Sequence, residues 1–257
     1  MRVAVAQLPS VAGDVAANVA TALTALDQCD GADLLVLPEL FLTGYTLPPH
    51  ILGRADDPRL ASLAEAVAAC GTTVLAGAAL GGSPRPTLST LGLGTTGARR
   101  LYDKQHLSGG ERDCFAAGEA GTVLDLGSVP VGLAICYDAC FPEHARAAAD
   151  AGALVYAASI AYYAGSEHRR DLYGHARALD NGFFVAIGAL IGECGRARFC
   201  GGAAIYDPEG RVVAAVPEGA QGIAVADLDL DQVVATRAAH PMLAERRRLP
   251  VLQRITL

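Results

Sequence analysis

Short apolar runs recur along the whole chain, with segments of helical spacing between many of them, and this alternation limits the folds open to it. Arg2–Leu8 reads as a strand, after which Asp14 caps a helix carrying Val15, Val19, Leu23 and Leu26 on one side. A strand over Asp33–Leu37 stops at Pro38, a helix near Arg59–Cys70 follows, and Thr73–Ala79 is the next strand. Leu88–Gly94 and Arg99–Lys104, separated by a Thr-Thr-Gly turn, predict an antiparallel pair. The second half predicts strands at Val123–Leu126, Val131–Ile135, Leu154–Ala158, Phe183–Gly188, Ala203–Asp207, Val212–Val216 and Ile223–Asp227. Helices are expected over Pro142–Ala151 and Glu167–Asn181, and Pro208-Glu209-Gly210 makes a tight turn.

Such a pattern predicts an α/β fold, a mixed sheet system with helices outside. A chain of 257 residues can bury its core as one domain spanning 1–257. The Gly-, Ser- and Pro-rich stretch at 81–87 is too short to separate domains and reads as a loop. Apolar residues make up 52% and charged residues 18%, which excludes a disordered chain, and the lack of Trp leaves a core of Ala, Val and Leu. A formal charge of −7 argues against nucleic-acid binding; the one basic run, Arg246-Arg247-Arg248, reads as a solvated face or the partner of a carboxylate. Ala151–Gly165 is too short to cross a bilayer, and Gln7, Pro9 and Asp14 interrupt any signal-peptide core. The expectation is a cytoplasmic protein with no membrane partner. Its cysteines, Cys29, Cys70, Cys114, Cys136, Cys140, Cys194 and Cys200, are odd in number and scattered, which predicts free thiols and no structural zinc.

Three apolar strands are followed at once by a reactive side chain, where α/β folds assemble their sites. Leu34–Leu37 leads through Pro38 into Glu39, where burial would raise the carboxylate and make it a proton acceptor near neutrality; an ordinary cap of the following segment is the plainer reading. Leu101-Tyr102-Asp103 leads into Lys104, a fixed cation for a developing oxyanion or a solvated strand end, with His106 as a catalytic base or, more plainly, a structural hydrogen-bonding residue. Val131–Ile135 leads into Cys136, then Asp138, Pro142 and a helix, so a sharp turn would expose its sulfur beside backbone N–H groups; a packed thiol is the alternative.

In this order and at these separations the three segments are specific together. The chain resembles the nitrilase, or carbon–nitrogen hydrolase, superfamily, whose signature is a Glu, a Lys and a Cys in that order. Leu37-Pro38-Glu39 is similar to the glutamate motif, Tyr102–Leu107 to the lysine motif, and Ile135–Asp138 with Phe141-Pro142-Glu143 to the nucleophile elbow. Met1–Pro9, Ala176–Asn181 and Gly201–Pro208 also fit, so the likeness runs nearly end to end. It implies a four-layer α-β-β-α sandwich, and pairing of two subunits into an eight-layer homodimer. Gly110–Phe115 with Gly118 matches the segment holding a second family glutamate, which puts Glu111 in a supporting position. One departure stands out: Cys140 lies where many relatives have an arginine, and Arg146 is the expected substitute.

The resemblance implies a hydrolase of small amides that needs no metal or organic cofactor. Glu39 takes the Cys136 proton, and Lys104 with the Tyr137 N–H stabilises the oxyanion. A thioester forms and is then hydrolysed, while Glu111 orients Lys104 or holds water and substrate. Arg169 and Arg170 are candidates for holding a substrate carboxylate, or else surface residues at a helix start. Rival readings are a nitrilase acting on a C≡N group, an acyltransferase with the same triad, a non-catalytic binding protein, and a thiol sensor pairing Cys136 with Cys140.

Overall fold

Two central strands, β1 (Arg2–Leu8) and β9 (Phe184–Cys194), organise the rest of the molecule. The computed structural model describes residues 1–247 and 253–256, so Arg248 of the basic run lies outside the described residues. In the first sheet, β1 pairs in parallel with β2 (Leu34–Val36), and β2 with β3 (Thr73–Leu80). β4 (Thr87–Gly94) and β5 (Gly97–Asp103) then extend that sheet antiparallel, and β13 (Gly222–Asp227) closes its other side against β1.

The second sheet runs β6 (Val123–Leu126), β7 (Val129–Ile135), β8 (Val155–Ile160), β9, β11 (Ala204–Tyr206) and β12 (Val212–Ala215). The two sheets join where Gln7 and Leu8 pair in parallel with Ala189 and Leu190. β10 (Ala197–Cys200) folds back on the end of β9.

Side-chain alternation divides the layers. Val3, Val5, Leu34 and Val36 pack into the core shared with the second sheet, whereas Ala4, Ala6, Leu35 and Leu37 pack under helices α1 (Val15–Gln28) and α2 (Ala61–Cys70). Each fully buried Leu or Val stabilises the fold by about 1.5–3 kcal/mol. Asp14 caps α1 as expected, accepting from the Ala17 N–H at 3.0 Å. Helices α4 (Pro142–Asp150) and α5 (Glu167–Asn181) lie on the second sheet, which completes the α-β-β-α order.

Cross-sheet approach is close. The Ser159 hydroxyl donates to the Leu37 carbonyl at 2.8 Å, and a Cβ on Gly188 would stand 2.3 Å from the Val36 carbonyl oxygen. That contact explains one difference from the sequence reading. Gly188 is not a strand end but a point of close approach, and β9 continues past it to Cys194.

Four further elements lie outside the sequence prediction: β10, the one-turn helix α3 (Glu111–Cys114), α6 (Asp231–Ala239) and α7 (Met242–Glu245). Only Val233 of α6 is buried, so no apolar stripe announces that helix. In the basic run Arg246 pairs with Asp150 at 2.7 Å, the carboxylate partner foreseen for it.

Candidate active site

β1, β2, β3, β5, β7, β8 and β9 all run the same way, so the residues that follow β2, β5, β7 and β8 emerge at one end of the two sheets. Glu39 follows β2 and is wholly buried. Leu40 beside it has φ +50°, a left-handed conformation that costs a residue with a side chain about 1 kcal/mol or more. Gly77 of β3 makes room for this turn, since a Cβ there would stand 2.4 Å from the Leu40 nitrogen. Lys104 follows β5 and is fixed by its backbone, its N–H donating to the Leu88 carbonyl and its carbonyl accepting from the Gly118 N–H, both at 2.8 Å.

The Lys104 ammonium donates to Glu39 Oε1 at 2.6 Å and to Glu111 Oε1 at 2.8 Å, with all three side chains shut from solvent. Glu111, at the start of α3, also accepts from the Tyr45 hydroxyl at 2.6 Å and from the Ser108 N–H at 2.8 Å. The second Glu39 oxygen, Oε2, has no hydrogen-bond partner among the described residues. Burial, followed by Lys104 in the opposite sense and then by Glu111, leaves the Glu39 carboxyl raised to about 7. For Lys104 burial opposes the charge, but Glu39 and Glu111 outweigh it and hold the amine protonated well above its usual range.

Cys136 faces this cluster from the second sheet. β7 ends at Ile135, opposite Ser159, and Cys136 opens a tight helical turn through Cys140 with φ +44°. The strained turn leaves the residue partly exposed. Burial and the Glu39 charge push the thiol well above its ordinary pKa, against Lys104 and the Ala161 N–H, which favour the thiolate. The resting pair is therefore a protonated thiol beside a carboxylate that titrates near neutrality. Tyr137 is the second residue of the turn, where a backbone N–H has no partner within the turn.

Asp138 holds the two halves in register. Its buried carboxylate accepts from the Ile135 N–H at 3.1 Å and the Tyr102 hydroxyl at 2.7 Å through one oxygen. Through the other it accepts from the His106 N–H at 2.8 Å and meets His106 Nδ1 at 2.9 Å. One side chain thus ties the residue before Cys136 to residues on both sides of Lys104. His106 is the structural residue the sequence suggested, with its ring stacked on Phe141 at 3.9 Å.

Arg170 and Arg146 stand differently from the sequence reading, and Arg169 is one of the surface residues it allowed. Arg170 is buried, and its guanidinium donates from Nε to Asp171 at 2.7 Å and from one terminal nitrogen to the Cys200 carbonyl at 3.2 Å, which braces the chain. Arg169 is exposed, reaching the Ser166 hydroxyl at 3.4 Å. Arg146 donates to the Asp180 carbonyl, so it does not replace the arginine missing at Cys140. Arg177, from α5, donates to the Ala139 carbonyl at 2.7 Å and the Cys140 carbonyl at 3.2 Å.

The sequence matches the model of the family described as carbon–nitrogen hydrolase over residues 2–238. The chain belongs to the carbon–nitrogen hydrolase family. Among its relatives, an (R)-stereoselective amidase of a Pseudomonas sp. is 34% identical over 256 residues, covering 96% of this chain and 92% of that protein. A hydrolase in the pqqF 5' region of Pseudomonas protegens is 32% identical over 255 residues, covering 96% of this chain and 89% of that protein. Among solved structures, an amidase of the nitrilase superfamily from Nesterenkonia AN1 superposes with a TM-score of 0.81 at 27% identity, over 94% of this chain and 95% of its own. In another structure of that amidase, acrylamide has undergone Michael addition at the active-site cysteine.

This carbon–nitrogen hydrolase also uses residues to which the sequence reading gave no role: Tyr45, Asp138 and Arg177. Asp138 and Arg177 stand inside segments that the resemblance covers, but only the fold reveals what their side chains hold. Tyr45 carries no local signal, because its bond to Glu111 joins residues far apart in the chain. Among the described residues no helix is long and apolar enough to cross a membrane, and no group of three or more His, Cys, Asp or Glu side chains could hold a metal ion.

Proposed function

We propose that this hydrolase cleaves the C–N bond of a small linear amide through a Cys136 thioester, releasing ammonia or an amine and a carboxylic acid. The observation that carries the reading is the free Glu39 oxygen beside the Cys136 thiol, on a carboxylate whose other oxygen is held by Lys104.

Sulfur attacks the amide carbon as its proton passes to Glu39. The carbonyl electrons move to oxygen, where Lys104 and the Tyr137 N–H meet the charge; one such donor is worth about 3–4 kcal/mol in the transition state. The oxyanion collapses, the C–N bond breaks, and the leaving nitrogen takes the proton from Glu39. Water then gives a proton to Glu39 as it attacks the thioester, the C–S bond breaks, and the sulfur recovers its proton from the same acid. Glu111 holds Lys104 in place throughout. Every atom balances as amide plus water giving acid plus amine.

The acting unit is one domain spanning 1–257, working in the cytoplasm as a homodimer. Leu172 and Leu179, two turns apart on α5 and 56% and 47% exposed, suit an outer helical face that meets a second copy. Light scattering at micromolar concentration reads that mass directly, and a monomer mass alone would contradict the assembly.

The central test is a panel of small amides read by ammonia release, with intact mass of the protein during turnover. A mass increment equal to the acyl group, mapped to Cys136, supports the reading. Turnover with no acyl adduct in a rapid quench, and none lost on changing Cys136, overturns it.

A further inference from the structure

Tyr156, His144 and Tyr102 form a buried polar chain that ends on the turn carrying the nucleophile. His144 is the third residue of α4, where its N–H donates to the Phe141 carbonyl at 3.1 Å. Its ring reaches two hydroxyls, with Nε2 2.9 Å from that of Tyr102 on β5 and Nδ1 2.8 Å from that of Tyr156 on β8. The Tyr102 hydroxyl continues to Asp138 at 2.7 Å, and the same carboxylate oxygen accepts from the N–H of Ile135, the residue before Cys136. All four side chains are buried, so these groups must satisfy one another.

Counting hydrogens fixes the direction of the chain. The Asp138 carboxylate only accepts, so the single Tyr102 hydroxyl hydrogen goes to it. The Tyr102 oxygen also accepts from the Gln105 N–H at 3.3 Å, and its remaining lone pair faces His144 Nε2. Nε2 must therefore carry a hydrogen. Burial, opposed by the Asp138 charge and aided by His106, holds the His144 ring below its ordinary pKa, which leaves Nδ1 bare to accept from Tyr156. Every polar hydrogen of the chain then has an acceptor. With the hydrogen on Nδ1 instead, a bare Nε2 would compete with Asp138 for the Tyr102 hydrogen. The Tyr156 hydroxyl would lose its acceptor as well, beside the Phe183 ring that stacks on it. Tyr102 shortly precedes Lys104 and Ile135 directly precedes Cys136, so the hydrogen passing from Tyr102 to Asp138 spans the two ends of the site.

We infer that His144 is a positioning residue: with its hydrogen on Nε2 it directs the Tyr102 hydroxyl onto Asp138, and so keeps the Cys136 turn in register with Lys104. This role rests on Cys136 being the nucleophile of the reaction proposed above, and two of its tests need no amide.

Nitrogen-15 spectra of the unaltered protein at neutral pH should show His144 with a hydrogen on Nε2 and none on Nδ1, its signals assigned by their loss in His144→Gln. A hydrogen on Nδ1 overturns the inference. Two substitutions then separate alignment from packing. His144→Gln places an amide donor where Nε2 was and gives up the Tyr156 contact, whereas His144→Asn keeps an acceptor near Nδ1 and leaves Tyr102 without its donor. Each loses one buried bond, so urea titration should show similar stability losses. His144→Asn should nonetheless lower kcat about tenfold with KM nearly unchanged, and slow iodoacetamide labelling of Cys136 to match, while His144→Gln stays within about threefold on both. Equal losses in the two variants, or none in either, would make His144 a packing residue and overturn the inference. An unaltered protein that hydrolyses no amide sinks the hydrolase reading alone, because the tautomer and the labelling rates are still read and still decide the role of His144.

Discussion

Glu39 and Lys104 end strands of one sheet and Cys136 ends a strand of the other, and the two ends are built differently. The charged pair is shut from solvent, the ammonium bonded to two carboxylates and only Glu39 Oε2 left without a partner. The thiol sits on a left-handed turn that is partly exposed. Charges act strongly where the dielectric is low, and that position is costly unless they pair. A nucleophile must be reached, so its strand end opens to the surface and stores strain in the backbone instead. The site works because the second sheet presses a reachable group against a sealed one.

Removing one member from each end sets the comparison most sharply. Cys136→Ala should abolish turnover, by about 10⁵-fold or more, while denaturation stability stays within roughly 1 kcal/mol, since no buried charge loses its partner. Lys104→Met should cost about 10³-fold in rate and also about 3–5 kcal/mol of stability, because two buried carboxylates lose their cation. Urea titration beside initial-rate kinetics reads both quantities. Equal stability losses in the two variants would break the distinction between a sealed end and an open one.

Glu39→Gln sharpens it from inside the charged end. The carboxyl is raised to about 7, so the base form is lost as pH falls through neutrality. For the unaltered enzyme kcat/KM should rise with pH to a plateau above about 7 and fall tenfold per unit well below it. In Glu39→Gln that limb should vanish at a rate lower by about 10²–10⁴-fold, and iodoacetamide should label Cys136 more slowly at neutral pH. Labelling of Cys136 as fast as in the unaltered protein, with amides still hydrolysed, would pass the role of base to Glu111.

Much of this was legible before any fold was known, and unevenly so. The strands that carry Glu39, Lys104 and Cys136 are apolar runs with abrupt polar ends, and their order carried the family resemblance. Burial of Glu39 followed from the strand before it. What escaped depends on distant contacts. The predicted strand ended at Gly188, where glycine serves close approach to Val36 and the strand runs on. Arg170 was open to two readings, a carboxylate ligand or a surface residue at a helix start, yet it is buried and bonded to Asp171 and Cys200. Arg177, on α5, reaches the Ala139 and Cys140 carbonyls after the nucleophile, while Arg146, expected there, bonds the Asp180 carbonyl.

Asp138→Asn tests the link between the two ends. An amide keeps the shape but supplies one acceptor oxygen where the carboxylate has two, so either the His106 pair or the Tyr102 and Ile135 pair is lost. The elbow and the Lys104 strand end should then drift apart, lowering kcat about 10–100-fold with KM nearly unchanged. Slower iodoacetamide labelling at Cys136 should accompany the loss. A drop in stability with kcat and labelling both intact would make Asp138 a packing residue with no bearing on alignment.

The smallest effect is expected at Cys140, on the same turn as the nucleophile. Its backbone carbonyl accepts from Arg177, a bond that does not depend on the side chain, and its sulfur lies 3.2 Å from the Tyr162 hydroxyl. Cys140→Ala keeps the first contact and loses only the second, a weak bond worth about 1 kcal/mol at most, so amide hydrolysis should fall by less than about threefold. Arg177→Met removes the donor that both carbonyls share and should cost more than the thiol does. The sulfur is pushed above its ordinary pKa, mainly by burial, so it carries little thiolate at neutral pH and should react slowly with peroxide. Intact mass and peptide mapping after peroxide treatment decide between a neighbour and a redox partner. A Cys136–Cys140 disulfide that forms readily and reverses with thiol would mean the open end of the site also senses oxidants, and Cys140→Ala would then protect activity under peroxide rather than leave it unchanged.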